Sequence, residues 1–462
     1  MRIVNLMVLI MVLCCMAQAQ PDNYNPKDPN FFPIGVATQS PFNAKAYRQA
    51  GINLYITLWD PLDSIQLNDL HKADMKVICT QNNYGLSHLK DTIIYGWDQM
   101  DEPDNAQWND SLKIYDPCVD PAIIIDRYNK FKANDNSRPV YLNLGQGVSW
   151  IQWYGRGSKC YGDIDSYKIS KDGYIKGSDI MSFDIYPSNS ADTATKDKLW
   201  LVPKGIDSLY SWGNNSKPAW CWIETTQISD PPRRKPTPTE VKAEVWMALI
   251  HGAKGFGYFC HSWYPTFCEW ALLKDSVMLS AVKKINEQVT SLASVLNSPN
   301  SKNFATVSSS NPKVPIDIMT KNSNSNYIFA VAMRNDTTTA TFSVNNGDNA
   351  EVIGENRTIN IVNEKFSDGF NSYGVHLYKI TSSKAVEEEF INQNDLNLFP
   401  NPTMDYVELP DELLNSKIIT IQSIIGEIVY EGKPEKRIDI SALPVGIYIL
   451  KSGAKILKFV KM

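Results

Sequence analysis

Asp91-Thr-Ile-Ile-Tyr-Gly-Trp-Asp-Gln-Met-Asp-Glu-Pro-Asp104 joins a short apolar run to two acids and a proline. Ile93–Tyr95 predicts a buried strand, and the strand should end before Pro103 because proline cannot donate to a sheet. Glu102 is therefore expected at the carboxyl end of a strand, the end at which barrel enzymes place their reactive groups. The alternative is an acid in an ordinary turn beside proline.

Short apolar runs and helical patterns alternate from Phe31 onward. The candidate strands are Phe32–Thr38, Ile52–Trp59, Lys76–Gln81, Ile93–Glu102, Pro139–Leu144, Ile180–Tyr186, Ala219–Glu224 and Gly255–His261. Eight strands separated by helices or long loops predict an α/β fold, a (β/α)₈ TIM barrel. A doubly wound open sheet is the main competitor, but no glycine-rich phosphate fingerprint follows the first strand.

The rest of the chain predicts a secreted, multidomain protein. Residues 1–19 have the pattern of a signal peptide, and their apolar run is too short for a membrane anchor, so no transmembrane segment is expected in the mature chain. The barrel is placed at 20–298 and a β-sandwich of short, turn-separated strands at 299–381. An acidic linker at 382–393 then precedes a small all-β module at 394–462.

Composition excludes several classes of function. A net charge of −5 gives no basic footprint for nucleic acid. No H-E-x-x-H or C-x-x-C pattern occurs, so no metal and no other cofactor is predicted.

All twelve tryptophans lie between Trp59 and Trp270, which suits a carbohydrate pocket as well as a core. Six cysteines remain after signal cleavage, and Cys118 with Cys160 is the favoured disulfide because they fall in consecutive loops.

A second strand-end acid is Glu224, in Pro218-Ala-Trp-Cys-Trp-Ile-Glu-Thr-Thr226. Two such carboxylates are what glycoside hydrolysis requires. With Glu102 after the fourth strand and Glu224 after the seventh, residues 31–290 resemble the clan A retaining glycoside hydrolases. The resemblance implies that Glu102 is the general acid/base and Glu224 the nucleophile.

The fourth-strand motif departs from the commonest form of that clan. Asp101 stands where Asn is usual, and an ionised Asp can only accept a hydrogen bond from the sugar. An anion beside Glu102 would also favour its protonated form. A rival assignment makes Asp101 or Asp98 the acid.

Further candidates for substrate binding lie near the predicted strand ends. They are Asp101, Trp150, Tyr186, Trp222, His261 and Trp263. Tyr186 belongs to Phe183-Asp-Ile-Tyr-Pro187, where a turn aromatic is an equally good interpretation. Trp263 resembles the indole that floors the sugar subsite in clan A enzymes, and its alternative is loop packing.

The last module resembles the C-terminal sorting domain of type IX secretion cargo in Bacteroidota. The resemblance is carried by Leu396-Asn-Leu-Phe-Pro-Asn-Pro402, by the Leu443-Pro-Val-Gly-Ile-Tyr448 element and by a lysine-rich tail. It implies an encounter with the type IX secretion machinery and a secreted or cell-surface location. An ordinary carbohydrate-binding sandwich is the alternative.

These patterns lead to two functional hypotheses. The first is a secreted retaining β-glycoside hydrolase that cleaves a polysaccharide by double displacement, endo-acting on β-glucan. The second is a non-catalytic, glycosidase-like barrel that binds glycan at the cell surface. An esterase or protease lacks support because no G-x-S-x-G motif occurs.

Overall fold

The computed structural model describes residues 28–160, 163–382, 398–414, 416, 418–423, 428–452 and 455–462. The predicted signal peptide lies outside these residues, as does nearly all of the predicted linker at 382–393. Contacts divide the chain into two units, residues 1–383 and 384–462, which are described separately.

A closed parallel barrel confirms the predicted fold. Its strands are β1 (Ile34–Ala37), β2 (Leu54–Ile56), β3 (Lys76–Cys79), β4 (Ile94–Asp98), β5 (Val140–Leu144), β6 (Ile180–Phe183), β7 (Ala219–Glu224) and β8 (Phe256–Phe259). Each strand pairs with its neighbour in sequence, and β8 closes the ring on β1. Large side chains such as Tyr141, Trp220 and Trp222 fill the interior, so the barrel is a packed core and not a pore.

Helices cover the outside of the barrel and complete the first unit's α/β character. They are α1 (Ala44–Gln49), α2 (Ser64–Lys72), α3 (Asn83–Ser87), α4 (Pro121–Asn134), α5 (Leu201–Trp212), α6 (Pro238–Ile250), α7 (Ala271–Lys274), α8 (Ser276–Ser291) and α9 (Ala293–Asn297). The start of α6 is fixed by a capping box, in which Thr237 and Glu240 satisfy each other's backbone N–H groups.

The β-sandwich follows α9. Its strands are β9 (Ala305–Ser309), β10 (Ile316–Asn322), β11 (Asn326–Ala332), β12 (Thr338–Val344), β13 (Asn349–Val352), β14 (Arg357–Asn360), β15 (Lys365–Phe370) and β16 (Val375–Thr381). They form one sheet in the order β9-β12-β15 and another in the order β10-β11-β16-β13-β14. Apolar residues between the sheets make a separate core around Phe342 and Tyr378.

The sandwich packs on α6 through apolar and charged contacts. The rings of Trp246 and Phe329 lie 5.3 Å apart. At the end of α6, His251 contacts Asp207 on α5 through Nδ1 at 3.0 Å and Asp317 on β10 through Nε2 at 3.1 Å. These two carboxylates overcome the effect of burial and raise the pKa of His251 to about 9.

This ion triad predicts a pH-dependent stability. Because the folded-state pKa of His251 lies above its ordinary value of about 6.5, its contribution should be complete below that pH and lost as pH rises through about 9. The free energy of unfolding of the wild type should fall by roughly 2–3 kcal/mol across that window. Denaturant titrations from pH 6 to 9.5 check this, and a His251→Gln variant with the same slope would contradict it.

The second unit is a small all-β module. Its elements are β17 (Tyr406–Glu408), α10 (Asp411–Leu414), β18 (Ile419–Ser423), β19 (Ile428–Gly432), β20 (Arg437–Asp439), β21 (Gly446–Ser452) and β22 (Lys455–Lys461). Strands β19-β18-β21-β22 form one antiparallel sheet, and β17 pairs with β20. Ile419, Ile421 and Phe459 are fully buried in its core.

Candidate active site

A cavity of about 670 Å³ opens at the carboxyl ends of the barrel strands. Two different walls enclose it. One wall comes from the segments after β4, β5 and β6 and carries the acids Asp101, Glu102 and Asp184. The other comes from β8 and the segments after β1, β2 and β8, and it is largely aromatic. Its lining residues are Thr38, Trp59, Phe259, His261 and Trp263. Polar and apolar walls facing each other are typical of a ligand site.

Glu102 lies on the acidic wall, just beyond β4. Its backbone φ is +41°, a strained left-handed value for a residue with a side chain. Oε2 accepts from Arg156 Nη2 at 2.6 Å and from Asn105 Nδ2 at 2.8 Å. Gly145 leaves room for this group, since an added Cβ there would lie 3.2 Å from Glu102 Oε1. The contact with Arg156 is therefore a charge-assisted ion pair.

Asp184 follows β6 and faces the same cavity. Its carboxyl lies close enough to Glu102 and Tyr186 for both to affect its pKa. Burial first, and then the negative charges of Glu102 and Asp101, raise the pKa of Asp184 well above its usual range. Its Oδ1 is buried without a hydrogen-bond partner among the described residues. The acidic wall therefore places a carboxyl of raised pKa beside one that forms an ion pair with Arg156.

Asp101 and Asp98 differ in their access to the cavity. Asp101 lines it and accepts from Asn143 Nδ2 at 3.0 Å. Reduced contact with water, together with the charge of Glu102, raises the pKa of Asp101 to about 6. Asp98 is buried below the cavity lining, where it accepts from Thr57 at 2.7 Å.

Glu224, the second acid identified from the sequence, is not among the residues that line this cavity. Its side chain is fully buried. Oε1 accepts from the Ser188 N–H at 2.6 Å, and Oε2 accepts from the N–H and the side-chain amide of Asn189 at 2.9 and 2.7 Å. Burial raises the pKa of Glu224 to about 7 against these hydrogen bonds. Loop amides therefore hold the Glu224 carboxylate, and its pairing with Glu102 across one sugar stays a prediction.

Of the other residues predicted to bind substrate, some line the cavity and some do not. Tyr186, His261 and Trp263 line the cavity, as Asp101 does. Trp222 lies below it in the packed barrel interior, donating to Asn143 Oδ1 at 3.0 Å. Trp150 does not line the cavity, whereas Trp153 from the same loop does.

Several lining residues were missed by sequence reasoning. Asp184 stands in the Phe183–Pro187 motif at a strand end, the same signal that identified Glu102. Trp59 stands at the end of a predicted strand and was counted only among the tryptophans. Arg156 lies in a long loop whose path no periodic pattern predicts. The favoured disulfide, Cys118 with Cys160, is present and ties this loop to the segment after β4.

The architecture therefore defines a (β/α)₈ barrel with a carboxyl-lined cavity at the strand ends, joined to a β-sandwich. Residues 397–461 match the family described as the secretion system C-terminal sorting domain. That match confirms the predicted type IX sorting domain and the secreted or cell-surface location. Within the described residues, no helix has the length and apolar character needed to cross a membrane.

Solved structures with the same overall course include several glycoside hydrolases. AmyP in complex with maltose superposes with a TM-score of 0.47 at 8% identity, covering 77% of this chain and 97% of that one. The α-amylase of Geobacillus thermoleovorans, complexed with acarbose, gives 0.45 at 10%, covering 77% and 99%. A glycoside hydrolase family 5 protein of Bacteroides vulgatus gives 0.44 at 11%, covering 76% and 89%. Among curated proteins, none matches the sequence. Likenesses this distant carry no argument about activity.

Proposed function

We propose that this protein is a secreted glycoside hydrolase that cleaves a polysaccharide at the barrel mouth. The observation that carries the proposal is that Asp184, whose pKa is raised well above its usual range, shares one cavity with Glu102, whose carboxyl accepts from Arg156 and Asn105. Glycoside hydrolysis needs one protonated and one ionised carboxyl. The aromatic wall opposite them supplies the flat apolar surface that sugar C–H faces contact.

The two carboxyls have complementary roles in this reaction. Asp184 donates its proton to the glycosidic oxygen as the bond from that oxygen to the anomeric carbon breaks, so the leaving sugar departs as an alcohol. Glu102 attacks the anomeric carbon and forms a glycosyl ester. Asp184, now ionised, takes a proton from water, which hydrolyses the ester and regenerates Glu102. This assignment gives Glu102 the nucleophile's part and leaves Glu224 outside the reacting atoms.

The finer proposal is a retaining enzyme that is endo-acting on β-glucan. Retention requires two carboxyls too close together for a water to attack the sugar between them, and it is supported by the position of Glu102 and Asp184 on the same wall of the cavity. The cavity joins walls from opposite sides of the barrel mouth and suits an internal segment of a chain.

Glycan binding without hydrolysis is the second candidate. It is favoured by the ion pair of Arg156 with Glu102 at 2.6 Å, which occupies an oxygen that the reaction needs. If Glu102 is catalytic, its ion pair with Arg156 must break when Glu102 attacks the sugar.

A panel of β-1,3-glucan, β-1,4-glucan, mannan and xylan, with sizing of the products, tests the proposal. We expect one polymer to be shortened to mid-length oligosaccharides, as an endo-acting enzyme produces. A proton NMR time course should show the β-anomer first. Binding of a polymer with no new reducing ends would support the second candidate. An α-anomer formed first would contradict the retaining mechanism.

A further inference from the structure

The aromatic wall continues beyond the cavity onto the surface. Phe259 lies inside the cavity and stacks on Trp263, with ring centres 5.8 Å apart and planes at 19°. Trp263 contacts Phe267 at 5.6 Å, and Phe267 contacts Trp59 at 6.2 Å. Phe267 does not line the cavity, so these contacts extend its apolar surface outward. Trp59, Trp263 and Phe267 are hereafter called the aromatic rim.

The rim is exposed but held in place. Its three side chains are 52%, 49% and 53% exposed, values unusual for large aromatic residues. Trp59 Nε1 donates to Glu269 Oε2 at 2.6 Å, and its ring meets His261 edge-on at 5.6 Å. Glu269 is itself buried and accepts from the Ser40 N–H at 3.3 Å. The indole therefore keeps a fixed orientation while much of its surface remains open.

A fixed exposed aromatic surface that is continuous with a cavity marks a binding site and not stray surface apolarity. The rim lies after β2 and β8, and the paired acids lie after β4 and β6, on the far side of the closed ring. A ligand touching both must span the barrel mouth. Trp59 and Trp263 line the same cavity as the acids but Phe267 lies outside it, so a ligand that reaches from the acids to Phe267 must extend beyond the cavity.

We infer that the aromatic rim is a binding site for a sugar unit of an extended glycan, at least one unit away from the bond cleaved at Glu102 and Asp184. The inference rests on the proposed glycan substrate and adds its length and its path. The sugar faces that stack there must be free of axial substituents, as in an unbranched, equatorially linked glucan. Side-chain branches on that face would separate the sugar from the rings.

Affinity electrophoresis of the full chain in gels containing laminarin or hydroxyethyl cellulose tests the inference without requiring turnover. For the polymer that retards the wild type, Trp59→Ala and Phe267→Ala should each weaken binding about tenfold, a change of about 1.4 kcal/mol. Trp108→Ala is the matched control. Trp108 is 49% exposed, donates to Asp110 at 3.1 Å and packs on Tyr115, but lies outside the cavity lining.

The outcomes separate the two proposals. Rim variants that bind as tightly as Trp108→Ala, or a wild type that neither polymer retards, would overturn the inference. Weaker binding by the rim variants, with no polymer ever cleaved, would support the rim and refute the hydrolase. If a polymer is cleaved and the rim variants bind it as tightly as the wild type, the hydrolase is supported and the rim as a binding site is refuted. Thermal unfolding of each variant ensures that lost binding is not lost folding.

Discussion

Asp184→Asn should lower the rate of polysaccharide hydrolysis by about 10²–10⁴-fold, the contribution of a general acid. The amide keeps the shape of the protonated carboxyl but has no proton to give to the glycosidic oxygen. Aryl glycosides with acidic leaving groups need no such proton, so the first step on them should survive. Glu102→Gln should remove activity on both kinds of substrate, because no group remains to attack the anomeric carbon.

The pH profile gives a second measurement of the same role. Burial and the neighbouring acids raise the pKa of Asp184 well above its usual range, so it keeps its proton beyond the pH at which an ordinary Asp loses it. Wild-type activity on the polymer should therefore fall on the basic side. The residual activity of Asp184→Asn on the polymer should lack that basic limb. Asp98→Asn, which alters a buried acid outside the cavity, is the control and should keep the wild-type profile. If Asp98→Asn removes the basic limb instead, the rival assignment of the acid is correct.

The barrel was predictable because its signal is local and repeated. Each of the eight strands is a short apolar run, and the structure places all of them within their predicted ranges. Glu102 was found for the same reason: Pro103 ends the extended segment close behind β4. The cysteine pair was accessible too, because consecutive loops at one end of a barrel lie close together.

The site itself depends on contacts that no local pattern encodes. Strand alternation puts Glu224 on the same face of its strand as Trp222. The direction of its carboxylate is set by the backbone amides of Ser188 and Asn189, which are far from it in sequence. Arg156 reaches Glu102 across 54 residues of sequence. Asp184 carried a usable signal, and it was passed over in favour of Tyr186 in the same motif.

Glu224→Ala should destabilise the folded protein as well as remove its activity. The change would leave three buried N–H groups unpaired, those of the Ser188 and Asn189 backbone and one N–H of the Asn189 side-chain amide, whose other N–H donates to the Thr226 carbonyl. Each unpaired donor costs about 1–3 kcal/mol, so we expect a loss of about 3–5 kcal/mol in the free energy of unfolding. These donors directly follow the segment that carries Asp184, so its placement, and with it activity, should be lost as well.

This prediction separates a positioning role for Glu224 from the nucleophile's role that the clan A resemblance implies. A nucleophile replaced by alanine leaves a hole beside the anomeric carbon, and azide should then restore turnover with inverted stereochemistry. A positioning residue gives no such rescue, because azide cannot reproduce three hydrogen bonds to the loop. Azide rescue of Glu224→Ala at wild-type stability would therefore refute the positioning role.

Glu244→Gln is the matched control, since Glu244 is equally buried beside Glu224 but accepts from no loop amide among the described residues. Its variant should keep both stability and turnover, because it removes a carboxyl without releasing the loop that carries Asp184.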